Sequence, residues 1–157
     1  MTGTVRRLNH AVLYVRDARR AAAFYRQAFG FEVVQEVGNG AGVFLKAAGT
    51  DNHHDLGLFS LGPQAPSPER GRVGLYHLAW QVEAIEDLAL IRDRLVELRA
   101  LAGASDHGAT KSLYGHDPDG NEFEVMWMVP REHWGDYEHD AVVMPLDLDA
   151  ELARYGS

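Results

Sequence analysis

One unit is written twice in this chain, and that repetition limits the folds open to it more than any other feature. Leu8 to Val15 (LNHAVLYV) and Leu75 to Val82 (LYHLAWQV) are both β-branched and aromatic runs with a histidine in third place, His10 and His77. Runs of this composition form strands. In each copy a helical pattern begins seven or eight residues after the histidine-bearing run is under way. In the first copy Asp17 caps a helix to about Phe29, with Ala22, Ala23, Phe24, Ala28 and Phe29 on its apolar side and Gly30 as its stop. Phe31 to Val37, Val43 to Ala47 and Leu56 to Leu61 read as three further strands, the first two joined by the tight turn Gly38-Asn39-Gly40. In the second copy a helix from Ile85 to about Ala100 turns Leu88, Ile91, Leu95 and Leu98 inward, and weaker strand signals lead to a strong strand from Asn121 to Met128. The grammar is β-α-β-β-β in both.

The expected architecture is therefore α+β, built from two βαβββ modules at about 6–61 and 75–129. Between them runs a connector, 62–74, that holds three of the six prolines, and after them a tail, 130–157. At 157 residues the chain can bury one core, or two small modules sharing a core, but not two ordinary independent domains. One domain spanning 1–157 is expected.

The stretch from Asp106 to Trp127 is the most informative locally. Asp-Pro-Asp-Gly at 117–120 is turn chemistry, because proline presets one φ and glycine accepts the positive φ of the exit. Two strands should meet there as a hairpin. In the second of them, period two sends Glu122, Glu124 and Met126 to one face and Phe123, Val125 and Trp127 to the other. One face then carries acids. By itself this describes an antiparallel strand with one wet side.

A net charge of −8, from 15 Lys and Arg against 23 Asp and Glu, argues against nucleic acid and against an anionic membrane as partners. The absence of cysteine removes disulfides, Cys-ligated zinc, iron–sulfur clusters and thiol catalysis. The N-terminal MTGTVRRLNHAVLYV lacks the apolar core of a signal peptide and no window approaches a membrane span, so a cytoplasmic protein is expected.

A lone strand histidine is more often a hydrogen-bonded packing residue than a ligand. A histidine at the same point of both repeats is different, since pseudo-twofold symmetry brings the two imidazoles together at the module junction. His10 and His77 with one carboxylate, Glu124, make a facial triad that leaves positions on an octahedral metal open. Fe(II) is the metal most often served this way, and catalytic zinc can also use two histidines and a glutamate.

With these residues the chain resembles the vicinal oxygen chelate superfamily, and within it the type I extradiol catechol dioxygenases. The pattern His107-x6-Tyr114-x2-Asp117-Pro118-x-Gly120-x3-Glu124 follows that family's signature; Ser105 stands two before the histidine, where a small or β-branched residue is usual. The resemblance covers about residues 6–130 and implies a half-open barrel made by the two modules. It implies His10, His77 and Glu124 as metal ligands, with Fe(II) as the cofactor and Mn(II) as the alternative. It also implies His54, in the run His54-Asp55-Leu56-Gly57-Leu58-Phe59, as an acid–base residue on the last strand of the first module, with His53 pointing the other way. His107 and Tyr114 would hydrogen-bond a substrate oxygen. The implied substrates are a small aromatic diol and O2, and the implied assembly is a homo-oligomer.

Three other functions fit the same scaffold. Glyoxalase-like isomerases and epimerases add a carboxylate on the last strand of the first module, where Leu56 to Leu61 offers none. A manganese-dependent transferase that opens an epoxide antibiotic with a thiol uses the same three ligands but does not need His54, His107 and Tyr114 together. A bleomycin-binding module would have no use for the ligands. His116, in the turn, and His133 and His139, in the tail, are expected in solvated roles. The acidic tail, with Trp134, Tyr137 and Met144, is expected to pack on the barrel or on a neighbouring subunit.

Overall fold

Each strand runs only as far as a neighbour can pair with it. The computed structural model describes residues 3–157, which divide into two compact units, residues 3–67 and residues 68–157. The first contains β1 (Ala11–Val15), α1 (Ala18–Phe29), β2 (Glu32–Val37), β3 (Gly42–Lys46) and β4 (Leu56–Ser60). Its sheet has the order β1-β4-β3-β2, with β1 parallel to β4 and the other pairs antiparallel. Leu8 was expected in β1, but the ladder begins with Ala11 opposite Leu56 and leaves Leu8 78% exposed. Among the described residues upstream of Ala11, none lies in a strand.

The helix α1 starts where the Asp17 carboxylate accepts from the N–H groups of Arg19 and Arg20, and it stops at Gly30, whose φ of 73° is left-handed. Its buried side is Ala18, Ala21, Ala22, Phe24, Tyr25 and Ala28. Ala23, expected inward, is exposed, because a 3.6-residue period that buries 18, 21, 22, 25 and 28 turns position 23 outward. The β2–β3 turn puts Gly38, Asn39 and Gly40 at φ values of 60°, 52° and 89°, which glycine and asparagine tolerate best.

The second unit repeats the plan with β5 (Leu78–Val82), α2 (Ile85–Glu97), β6 (Leu101–Asp106), β7 (Thr110–His116) and β8 (Glu122–Met128), in the sheet order β5-β8-β7-β6. The parallel pair begins at 11 and 56 in one unit and at 78 and 123 in the other, a shift of 67 residues for both partners. The two sheets are separate and neither closes into a barrel. Burial along β8 alternates as expected, with Phe123, Val125 and Trp127 buried and Glu122, Glu124 and Met126 partly exposed. The β7–β8 turn is tied by Asp117, whose Oδ1 accepts from the N–H groups of Asp119 and Asn121. The α2 helix ends earlier than expected: the chain leaves it at Arg99, φ 55°, and Leu98 is only half-buried.

Two layers result in each unit, a helix packed on one face of a sheet. In the first, Val15, Tyr25, Leu45, Leu56 and Leu58 are at most 2% exposed; in the second, Ile85, Leu88, Leu95, Leu113, Phe123 and Val125 are. Burial of such a side chain is worth about 1.5–3 kcal/mol relative to exposure. The tail returns to the second unit: Met144 exchanges two backbone hydrogen bonds with Asp106, and a last helix, α3 (Leu148–Tyr155), packs on α2 with Tyr155 against Trp127. Among the described residues no helix is long and apolar enough to cross a membrane.

Candidate active site

The face of the second sheet not covered by α2 takes every other side chain of β7 and β8, so register alone decides which polar groups meet. Tyr114 stands opposite Glu124 on β8, and Ala79 of β5 stands on the other side of it, just after His77. The result is a connected row. His77 Nε2 lies 3.1 Å from Glu124 Oε2, and the Tyr114 hydroxyl lies 3.3 Å from Glu124 Oε1 and 2.8 Å from His107 Nε2. His107 Nδ1 in turn lies 2.8 Å from the carbonyl oxygen of Val142. The side chains of His77 and Glu124 are only 24% and 14% exposed. Burial first, and the Glu124 charge next, push the Tyr114 phenol above its ordinary value, so it stays an O–H donor at neutral pH.

The first unit makes a smaller cluster. The rings of His10 and His54 lie 4.6 Å apart, and Phe44 meets His54 edge-on at 5.1 Å. Asn9 Oδ1 lies 2.9 Å from His10 Nδ1, which fixes the proton on that nitrogen and leaves Nε2 free as a donor of electrons. Asn52 ties the cluster together, donating to the Asn9 carbonyl at 2.9 Å and to Asp55 Oδ1 at 2.8 Å. Burial first, then the neighbouring His10 and His53, hold the His54 imidazole below its ordinary pKa and favour its neutral form.

Two expectations need correction here. His54 does not stand on β4 but in the loop just before it, because ladder pairing starts only at Leu56. For the same reason His53 is not sent away by strand alternation; its Nδ1 lies 3.0 Å from that of His54. Asn9, Asn52 and the Val142 carbonyl were not singled out from sequence. An asparagine beside a histidine is too common to signal, and a backbone carbonyl has no residue type.

The six candidates thus divide as His10 and His54 in one unit and His77, His107, Tyr114 and Glu124 in the other. Neither unit by itself gathers three histidine, aspartate or glutamate side chains fit to hold a metal, among the described residues. The donor chemistry fits a metal nonetheless: His10 presents a free Nε2, and His77 and Glu124 face one another while His77 Nδ1 is buried without a hydrogen-bond partner. His116, expected to be solvated, is half-buried 3.6 Å from Glu122, at the next register position of the same face. A cavity of about 540 Å³ opens there within the second unit, lined in part by Arg70, Tyr76, His116, Asn121 and Glu122.

Residues 7–125 match the model of the Glyoxalase/Bleomycin resistance protein/Dioxygenase superfamily. The chain belongs to that superfamily. Within it, the chain is 31% identical over 146 residues to a catechol-2,3-dioxygenase of Bacillus subtilis, covering 92% of this chain and 50% of that protein. It is 35% identical over 141 residues to biphenyl-2,3-diol 1,2-dioxygenase 3 of Rhodococcus globerulus, covering 85% of this chain and 70% of that one. A manganese-dependent 2,3-dihydroxybiphenyl 1,2-dioxygenase of Geobacillus genomosp. 3 is 27% identical over 135 residues, 83% of this chain and 39% of the other. The chain therefore spans half or less of the length of two of these three relatives. Among solved structures, the fosfomycin resistance protein FosX of Listeria monocytogenes superposes with a TM-score of 0.62 at 20% identity, covering 83% of this chain and 99% of that one, which shows a shared fold. Superfamily membership accounts for the paired βαβββ units and leaves the reaction to the side chains.

Proposed function

We propose that the protein is an Fe(II)-dependent extradiol dioxygenase that opens a catechol-type ring with O2. His10, His77 and Glu124 would hold the metal; Mn(II) is the alternative occupant. The observation that carries this assignment is the row His107–Tyr114–Glu124, in which a carboxylate ligand candidate is continuous with two hydrogen-bonding groups. Ferrous iron, when bound, supplies the redox chemistry that lets a singlet ring react with triplet oxygen. In the overall reaction one ring C–C bond beside a hydroxyl breaks and both oxygen atoms enter the product.

The protein's own groups handle protons and positions. His54, its imidazole held below its ordinary pKa chiefly by desolvation, would take the proton of one substrate hydroxyl and return it later. Tyr114, kept protonated, would turn its single O–H, directed to His107 at rest, to the developing oxygen anion of the substrate, and the His107 contact would hold the phenol in place until then.

The rival function is metal-dependent opening of an epoxide antibiotic by a thiol. It accounts for the ligand candidates but gives no task to His54, His107 and Tyr114. The deciding experiment is anaerobic reconstitution with Fe(II), then oxygen and a panel of substituted catechols, followed by oxygen electrode and by the colour of the ring-opened semialdehyde. Stoichiometric oxygen uptake is expected. No uptake with any catechol, together with turnover of an epoxide plus thiol, overturns the assignment.

A further inference from the structure

We infer that the C-terminal segment is a working part of the second unit: the backbone carbonyl of Val142 sets which nitrogen of His107 carries the proton, and Lys111 seats the segment that brings this carbonyl there. The catalytic consequence rests on the dioxygenase assignment; the structural claim does not.

A carbonyl oxygen accepts hydrogen bonds and has no proton to give. At 2.8 Å from Val142, His107 Nδ1 must therefore be the protonated nitrogen. In the neutral ring Nε2 is then a lone pair, and it accepts from the Tyr114 hydroxyl 2.8 Å away. Without the Val142 carbonyl the imidazole is free to place its proton on Nε2 instead, which reverses that hydrogen bond and turns the Tyr114 proton towards Glu124. One main-chain group, 35 residues from His107 in sequence, thus sets the direction of the whole row.

The segment is held by more than contact area. Met144 N–H donates to the Asp106 carbonyl at 2.9 Å and Asp106 N–H donates to the Met144 carbonyl at 2.8 Å, two residues from Val142 and one from His107. The Asp106 carboxylate accepts from Gly108 N–H at 2.7 Å and from Lys111 Nζ at 2.6 Å. That ammonium is only 6% exposed and lies 3.6 Å from Glu151 Oε2 on α3. A charge so deeply buried needs its carboxylates, and removing one leaves the rest uncompensated. Tyr137 lies over Gly108 so closely that a Cβ there would come within 2.3 Å of its ring. The turn that carries His107 is thus clamped from the strand side by Asp106 and Lys111 and from the tail side by Tyr137, Val142, Met144 and Glu151.

The test uses the full chain labelled with 15N-histidine. Long-range 1H–15N spectra distinguish the two neutral tautomers, and the His107 signal is assigned by its loss in His107→Phe. Wild type is expected to show His107 protonated on Nδ1. Met144→Pro deletes the N–H that bonds Asp106, and Glu151→Lys opposes Lys111; each should move His107 towards the Nε2–H form while far-UV circular dichroism is retained. Glu151→Gln, which removes one carboxylate from Lys111 without adding repulsion, should shift His107 in the same direction but less than Glu151→Lys. If Met144→Pro does not fold, Glu151→Lys decides alone. Ring-cleaving kcat should fall about 10-fold or more in the undocked variants with KM nearly constant, the scale seen when an orienting partner is lost. A wild-type His107 protonated on Nε2, or undocked variants whose His107 spectrum does not change, overturns the inference. A tautomer switch in a protein that cleaves no catechol under any condition leaves the positioning role standing and removes the dioxygenase assignment.

Discussion

The same place in the two units is filled differently. Opposite Tyr114 on β8 stands Glu124; opposite Phe44 on β4 stands Gly57, 67 positions earlier in the chain. The two sheets share strand order and register, so the backbone treats the sites alike. A Cβ at Gly57 would meet Phe44 and Val12 at 3.5 Å, an ordinary contact. The repeat therefore carries the scaffold and not the side chains: the second unit holds the carboxylate and its phenol, and the first sets its ligand candidate His10 beside a second imidazole, His54.

If the scaffolds are equivalent, matched core positions should cost alike. Phe123→Ala and Leu56→Ala, which pair with β5 and β1 at the same register, should each lower stability by about 2–5 kcal/mol in denaturant titrations, the range for emptying a buried site. A cost confined to one unit would break the equivalence. If the chemistry is not equivalent, Glu124→Gln should weaken Fe(II) or Mn(II) binding by more than the ~10–100-fold that an outer-shell partner is worth, while Gly57→Ala leaves metal affinity unchanged in the same competition titration. Next in size, His54→Phe should keep the metal and lower turnover about 10²-fold, read from kcat at saturating catechol. Turnover at the wild-type rate would leave the first unit without a catalytic part.

Smaller effects separate the helices. Asp17 caps α1 with its side chain, whereas Ala84, at φ −119° and ψ 152°, gives α2 no such bond. Asp17→Ala should cost about 1 kcal/mol, and Ala84→Ser should raise the melting temperature, because its backbone already has the capping conformation. The smallest concerns acid. Arg19, bonded to Glu36 between α1 and β2, holds that carboxyl below the usual carboxylate range. A depressed pKa in the folded state contributes stability at pH above the ordinary glutamate value, and this is lost as pH falls through the depressed one. Glu36→Gln should flatten that acid limb slightly in pH-dependent melting curves, and no limb in the second unit depends on this pair.

Much of this was legible before any coordinates. The βαβββ repeat, the Asp17 cap, the Gly30 stop and the alternation of β8 all follow from local rules, since a few neighbouring residues suffice to impose them. The pairing of Tyr114 with Glu124 was nearly legible too, because a tight turn at 117–120 fixes hairpin register. Errors arose where a distant partner decides. Leu8 lies outside β1 because the β1–β4 pairing begins only at Ala11 and Leu56, and His54 lies in the loop before β4 for the same reason.

The order of residues alone fixed the repeated scaffold, the two histidines at matched points and the acid-bearing face of β8, because periodicity and turn chemistry act over a few bonds. Folding in three dimensions decided what those groups touch: Asn9 on His10, Asn52 across the first cluster, Val142 on His107 and Glu151 on buried Lys111. Each of these joins a side chain to a backbone group or to a residue of unremarkable type, and where such partners come to lie is set by packing, which no short window of sequence contains.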